Sequence, residues 1–287
     1  MKPLVRFHRP LQVFGVDYSG AAQAGENAWM ATMAVDHDRL RLTNLAPLGR
    51  LACDTDRDVV NAYLAASITQ SHDALWGMDF PFGLPIELGL GRWRQQLRHV
   101  ADFHGNAKEY GRHLVDIARS KTDTLHIRRT TDLDTKTPFD CYHYRIIYQT
   151  FHGMRDLLRP IAPDSTTATV PFQINRLTSG RAMDRCVVEA CPSSTLKRLG
   201  LPHQRYKQSS GRPPTETHLA TRRKIMRVVS RWVDISRHRR NVIMTNPGGD
   251  ALDAVLAGLG AWHAWQRETI ETIREHPRYQ IEGKVFC

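Results

Sequence analysis

Four apolar runs of this chain end at or beside a carboxylate: VFGVDYSG, ALWGMDFPFG, RCVVEACP and GGDALDAVLAGLGAW. Residues 12–17 are apolar apart from their two ends, which predicts a central strand buried on both faces and leading into the small-residue turn 19–22. Runs at 28–35 and 40–45 flank a polar turn at 36–39, the pattern of an antiparallel hairpin, so the opening reads as a three-strand meander. Val59, Val60, Tyr63, Leu64 and Ile68 recur at helical spacing over 56–68, with Asp54 or Asp56 placed to cap the helix. Residues 74–78 form a second wholly apolar strand that stops at Asp79, because Pro81, Gly83 and Pro85 cannot continue a central strand. A right-handed strand, helix, strand crossover brings it in parallel beside the first, about 5 Å away, so Asp17 and Asp79 leave the same sheet edge side by side.

From 86 to 185 the pattern changes to long helical stripes, at 97–118 and 142–158, alternating with polar and proline-containing loops; this predicts a helical insertion. Strand character returns at 185–190, where Val187 and Val188 lead to Glu189 and then Pro192, repeating the layout of strand, acid and proline seen at Asp79. The stretch 206–216 is the most loop-like in the chain. An amphipathic helix is expected over 218–235, with Arg223, Arg227 and Arg231 along one side and Ile225, Val228, Val229 and Trp232 on the other. The last apolar element, 250–265, follows a Pro-Gly-Gly turn, and its two acids, Asp250 and Asp253, share one helix face. The expected organisation is one α/β domain in which residues 1–85 and 186–287 build a core interrupted by the insertion 86–185.

Charge adds a partner to this outline. Lys and Arg number 40 against 29 Asp and Glu, a formal charge of +11 that attracts polyanions and points to nucleic acid, with a basic enzyme kept soluble by its charge as the plain alternative. Arg128 and Arg129, and the set Arg223, Arg227, Arg231, Arg239 and Arg240, are the candidate phosphate contacts; the alternative is a solvated surface. No apolar run reaches the length of a membrane span, and the opening MKPLVRFHRPLQVF is too polar and too broken by proline for a secretory signal, so a cytoplasmic protein without a membrane partner is expected. The five cysteines form no C-x-x-C pair and the fourteen histidines no metal-binding spacing, which leaves the acids as the candidate chemistry.

A buried acid is costly unless it is paired, hydrogen-bonded or bound to a metal, so a set of them suggests one cation-binding centre. Magnesium or manganese (Mg2+ or Mn2+) takes oxygen ligands, and two such ions about 4 Å apart can acidify an attacking water and neutralise a leaving oxyanion. The order of elements, with acids on the first strand, the fourth strand and the last helix, looks like the ribonuclease H-like fold: a mixed sheet, three antiparallel strands then parallel ones, flanked by helices. The phrases GVDYSGA, GMDFPFGLP, VVEACPSSTLKRLG and DALDAVLAGLGAW resemble the family called domain of unknown function 429, regarded as predicted ribonuclease H-like nucleases, and the match runs in order from Phe14 to Ala264. DALDAVLAG is also similar to the paired-acid helix of RuvC-type Holliday junction resolvases.

The resemblance implies a metal-dependent nuclease acting on DNA or RNA. Asp17 is then the bridging ligand, Asp79 a ligand to one metal and Asp253 to the other, while Asp250 supports the second metal, orients water or simply caps its helix. Glu189 is either a further catalytic acid or a fold-holding hydrogen-bond acceptor; Cys191-Pro192 departs here from the aromatic more usual in the family. Oligomeric state stays open, with a dimer permitted by the RuvC-type likeness. Two other readings remain: a non-catalytic nucleic-acid adaptor, and an actin-like phosphotransferase using GVDYSG as a phosphate loop, although no second such loop is present in the sequence.

Overall fold

The computed structural model describes residues 9–208 and 211–287. Residues 1–8, with most of the opening stretch judged against a secretory signal, and Ser209 and Ser210 in the expected loop lie outside the described residues.

Strands β1 (Gln12–Asp17), β2 (Trp29–Asp36) and β3 (Arg39–Pro47) form the antiparallel meander that the alternation predicts. Helix α1 (Arg57–Gln70) starts at Asp56, whose carboxylate accepts from the backbone N–H of Asp58 at 2.8 Å and of Val59 at 3.4 Å. The helix returns the chain to β4 (Ala74–Met78), parallel to β1, with Gly15 beside Gly77 and the Phe14 and Trp76 rings stacked at 4.1 Å. The region after β4 contains α2 (Trp93–Ala101), α3 (Ala107–Lys121), α4 (Ile147–His152), which runs on into a π-helical turn, and β5 (Thr167–Val170). The last part contains β6 (Arg185–Ala190), α5 (Pro192–Arg198), α6 (Glu216–Val229), β7 (Val233–Asp234), α7 (Arg237–Thr245), α8 (Asp250–Arg267) and β8 (Val285–Phe286). The eight strands of the described residues join one mixed sheet in the order β5-β6-β4-β1-β2-β3-β7, with β8 also paired to β6. This is an α/β fold with helices on both faces.

Side-chain alternation along the strands sorts the interior into two cores. Val13, Leu75, Cys186 and Val188 face one layer and pack with Leu252, Val255 and Leu256 of α8. Phe14, Val16, Trp76, Met78 and Val187 face the other and pack with Leu97, Leu114 and Phe151 from α2, α3 and α4. The first of these layers is unusually close to the sheet. A side chain at Gly15 would put its Cβ 2.0 Å from the Ala254 carbonyl oxygen, and one at Gly77 would reach 2.7 Å from the Ala257 oxygen. Glycine at both positions lets α8 seat directly on β1 and β4.

The region between 86 and 185 is therefore not purely helical, nor set apart: it supplies one covering layer and the buried strand β5, parallel to β6. The stripe over 97–118 is two helices, because Asn106 and Glu109 form a capping box that starts α3 anew. The stripe over 142–158 becomes regular helix only at Ile147. The helix expected over 218–235 ends at Val229; the chain then forms β7, which pairs with the open edge of β3 through Leu40 and Val233. Trp232 and Val59, both expected on packed faces, are 39% and 41% exposed. No helix among the described residues is long and apolar enough to cross a membrane.

Candidate metal centre

Asp17 ends β1 two residues after Gly15, and Asp79 follows β4 two residues after Gly77, so strand alternation turns both carboxylates toward α8. The close seat of α8 brings Asp253, in its first turn, to the same place. One carboxylate oxygen from each of Asp17, Asp79 and Asp253 lies within 4.8 Å of the others. Asp253 is 1% exposed and Asp17 9%.

Two residues unforeseen in the loop after α5 complete the cluster. The Tyr206 hydroxyl donates to Asp253 Oδ1 at 2.8 Å, and the Lys207 ammonium forms an ion pair with Asp253 Oδ2. The Lys207 side chain is 45% exposed along its length while its Nζ turns inward to the acid. Buried Arg222 fixes this geometry. Its guanidinium donates to the carbonyls of Tyr206 at 2.7 Å, Asn246 at 2.6 Å and Pro247 at 3.0 Å, tying the loop to the turn that opens α8. No motif in the sequence marks Tyr206, Lys207 or Arg222; the arginine next to Arg223 is the one turned into the protein.

Electrostatics leave the cluster with more carboxyls than its resident cation can keep ionised. Burial pushes the Asp17 carboxyl well above its ordinary value; Lys207 opposes the shift, and Asp253, Asp250 and Asp79 add to it. Asp79 is pushed up to about 8, first by burial and then by Asp253, again against Lys207. Burial works most strongly against the charge of Lys207, but Asp253, Tyr206 and Asp17 together outweigh it, so the ammonium keeps its proton. Three carboxylates thus share one fixed cation, and the rest of their charge calls for protons or for a further cation. The donor set is entirely oxygen, which suits Mg2+ or Mn2+.

The structure treats the other sequence candidates differently. Asp250 lies outside the trio: its carboxylate folds back against Gly248, within hydrogen-bonding reach of Asn246, and burial raises its pKa. Glu189 pairs in register with Met78, so it faces the opposite side of the sheet from Asp79. There it accepts from the Phe82 N–H at 2.9 Å and receives Arg129 in a two-pronged pair at 2.5 and 2.8 Å. Arg129, expected at a nucleic-acid surface, is 1% exposed and is also held by Asp132 at 2.8 Å and the Glu282 carbonyl at 3.1 Å. It is a structural tie between β6, the 86–185 region and the C-terminal segment.

Arg128 donates to the Pro138 carbonyl at 3.0 Å. Arg223, Arg227 and Arg240 line one open surface depression with Ser230, although Arg223 is paired with Glu216 at 2.5 Å and Arg240 with Ser230 at 2.7 Å. Arg239 reaches the Thr43 carbonyl and Ser236. Arg231 is exposed beyond the end of α6 and so leaves the expected ridge. The Asp17, Asp79 and Asp253 carboxylates line a cleft of about 220 Å³ together with Lys207, Phe139 and Gln149, and the Glu189, Arg129 and Asp132 network borders the same cleft. The glycines of GVDYSG do not form an open loop: Gly15 is covered by α8, and a Cβ at Gly20 would sit 2.2 Å from the Tyr148 carbonyl oxygen.

No family model, curated protein or solved structure matches the chain. The family resemblance therefore rests on the quoted motifs alone.

Proposed function

We propose that this protein is a divalent-metal-dependent nuclease of ribonuclease H-like architecture. The observation that carries the reading is the convergence of Asp17, Asp79 and Asp253 at 4.8 Å or less, in a cleft, with more carboxyl groups than Lys207 can pair. The strand order supports it too: an antiparallel meander feeds parallel strands β4 and β6, and acids stand at the C-terminal ends of β1 and β4 against a helix that carries the third. Asp17, Asp79 and Asp253 would hold Mg2+ or Mn2+, and the bound ion would acidify a water and neutralise a leaving phosphate oxygen.

The chain's own groups supply orientation. Tyr206 fixes the carboxylate plane of Asp253, and Arg222 holds Tyr206 and the start of α8 in one frame. Lys207 places a positive charge at the cleft, where an anionic phosphate oxygen can meet it. Asp250, one turn from Asp253, adds negative charge to Asp17 through space without joining the trio.

One observation favours the adaptor as second reading: Asp253 already has both oxygens engaged by Tyr206 and Lys207, an arrangement that a purely structural cluster would also show. The phosphotransferase has less support, because Gly15 and Gly20 are packed against backbone. End-labelled single strands, duplexes, hybrids and four-way junctions, incubated with magnesium, manganese or chelator, separate these readings. Metal-dependent cutting lost in Asp17→Asn and Asp253→Asn is expected. Salt-sensitive binding with no cutting by any metal leaves the adaptor in its place.

A further inference from the structure

Beside the acids, the cleft wall is aromatic and continues outward onto the surface. Phe139 lines the cleft with Asp17 and Asp79, and its ring stacks on His143 at 4.5 Å with 22° between planes. His143 in turn lies 4.4 Å from Tyr144, which is 69% exposed. The Arg145 guanidinium sits 5.6 Å from both the Phe139 and Tyr144 centroids and donates to the Tyr144 hydroxyl at 3.1 Å. Below the array the loop is built rather than slack: Arg128 holds the Pro138 carbonyl, and the Asp140 carboxylate accepts from the Tyr142 N–H at 3.1 Å and pairs with His126 at 3.1 Å. A ring series half-buried at Phe139 and His143 and exposed at Tyr144, with the Arg145 cation beside two of its rings, opens from a carboxylate cleft on a chain of charge +11 and matches one chemistry closely. Flat bases stack on the open ring faces, and a connecting phosphate meets Arg145.

We propose that the surface formed by Phe139, His143, Tyr144 and Arg145 is a stacking platform for unpaired bases, and that it delivers single-stranded nucleic acid to the carboxylate cleft. The proposal rests on the phosphodiester reading of that cleft and adds the substrate class to it. A duplex cannot use such a platform, because its base faces are already covered by their neighbours. Sugar identity is not read by stacking, so DNA and RNA strands share this chemistry.

The test measures binding in chelator, where no cutting occurs, so its outcome is independent of whether the centre hydrolyses anything. The probes are fluorescein-labelled homothymidine and homouridine strands and a mixed-sequence DNA duplex of equal length, followed by anisotropy at fixed salt. Single strands are expected to bind more tightly than the duplex. Tyr144→Ala, at a side chain too exposed to hold the fold, is expected to weaken single-strand binding roughly tenfold, leaving duplex binding unchanged, with Tyr144→Phe close to wild type. Comparison of the two strands tells DNA from RNA preference. Equal or tighter duplex binding, no binding of any probe, or a Tyr144→Ala variant that binds single strands as wild type does would overturn the proposal.

Discussion

Two groups of largely buried acids sit on opposite faces of the same sheet and have been resolved in opposite ways. On the face toward α2, α3 and α4, Glu189 and Asp132 share Arg129, which donates to both carboxylates and to backbone carbonyls, so charge and hydrogen bonds close within the group. On the face toward α8, Asp17, Asp79 and Asp253 have, among the described residues, the Lys207 ammonium alone as a cation; burial raises the carboxyl pKa on both faces, at Glu189 against its own Arg129 and at Asp17 and Asp79 against the one shared Lys207. A closed network holds a fold together; an open one stores an unsatisfied affinity for cations. Neither burial nor acidity distinguishes them.

The largest effect expected from breaking this contrast is on the closed side. Arg129→Ala leaves Glu189 and Asp132 buried without a partner and should cost about 3–5 kcal/mol in chemical denaturation. Glu189→Gln should also destabilise, yet leave divalent-ion binding to the opposite face intact in calorimetric titration. Loss of ion binding in Glu189→Gln at temperatures where the variant is folded would return Glu189 to the metal centre.

The open side should respond with the other sign. Asp79 keeps its proton in the folded state up to about pH 8, whereas its ordinary value is 3.8, so folding takes up a proton between those limits. In chelator, this residue's contribution to stability is full below about pH 4, declines as pH rises toward 8 and levels off above. Asp79→Asn should flatten that decline and, in chelator at pH 8, unfold at a higher temperature than wild type. Manganese should reverse the trend in wild type, since an ion binds the deprotonated acids. At a hundredfold excess over its Kd it should add about 2.7 kcal/mol of stability. The same addition should do little for Asp17→Asn.

The contrast also shows which features the sequence made legible. Strands β1, β4 and β6 and helix α8 stand out as apolar runs bounded by proline, glycine or acid, and the parallel crossover rule aligned Asp17 with Asp79. What placed Glu189 apart was register: Glu189 sits opposite Met78 rather than Gly77, and a shift of one residue would have turned it toward α8. Sequence pattern does not fix that count. Tyr206 and Lys207 were illegible for another reason, since their position depends on Arg222 reaching across sixteen residues in one direction and the α8 turn in the other. Strands β5, β7 and β8 are too short to show a period, and exist because the sheet edges at β6 and β3 offer unpaired backbone.

The finest test of the contrast is Lys207, the one resident cation of the open group among the described residues. Its charge lowers the pKa of both Asp17 and Asp79 from where burial alone would hold them, so it already does part of what a metal would do. The same charge repels an incoming ion. Lys207→Met removes the repulsion and frees Asp253 Oδ2 as a donor, and manganese affinity in calorimetric titration at pH 8 should rise by roughly tenfold, about 1.4 kcal/mol. Cleavage should fall in the same variant, because a phosphate oxygen loses its cation while the metal stays bound. Tighter ion binding with weaker cutting would assign Lys207 to the substrate; weaker ion binding would mean that the ammonium instead keeps Asp253 poised for the metal, and the open group would then be closer in kind to the Arg129 network than its geometry implies.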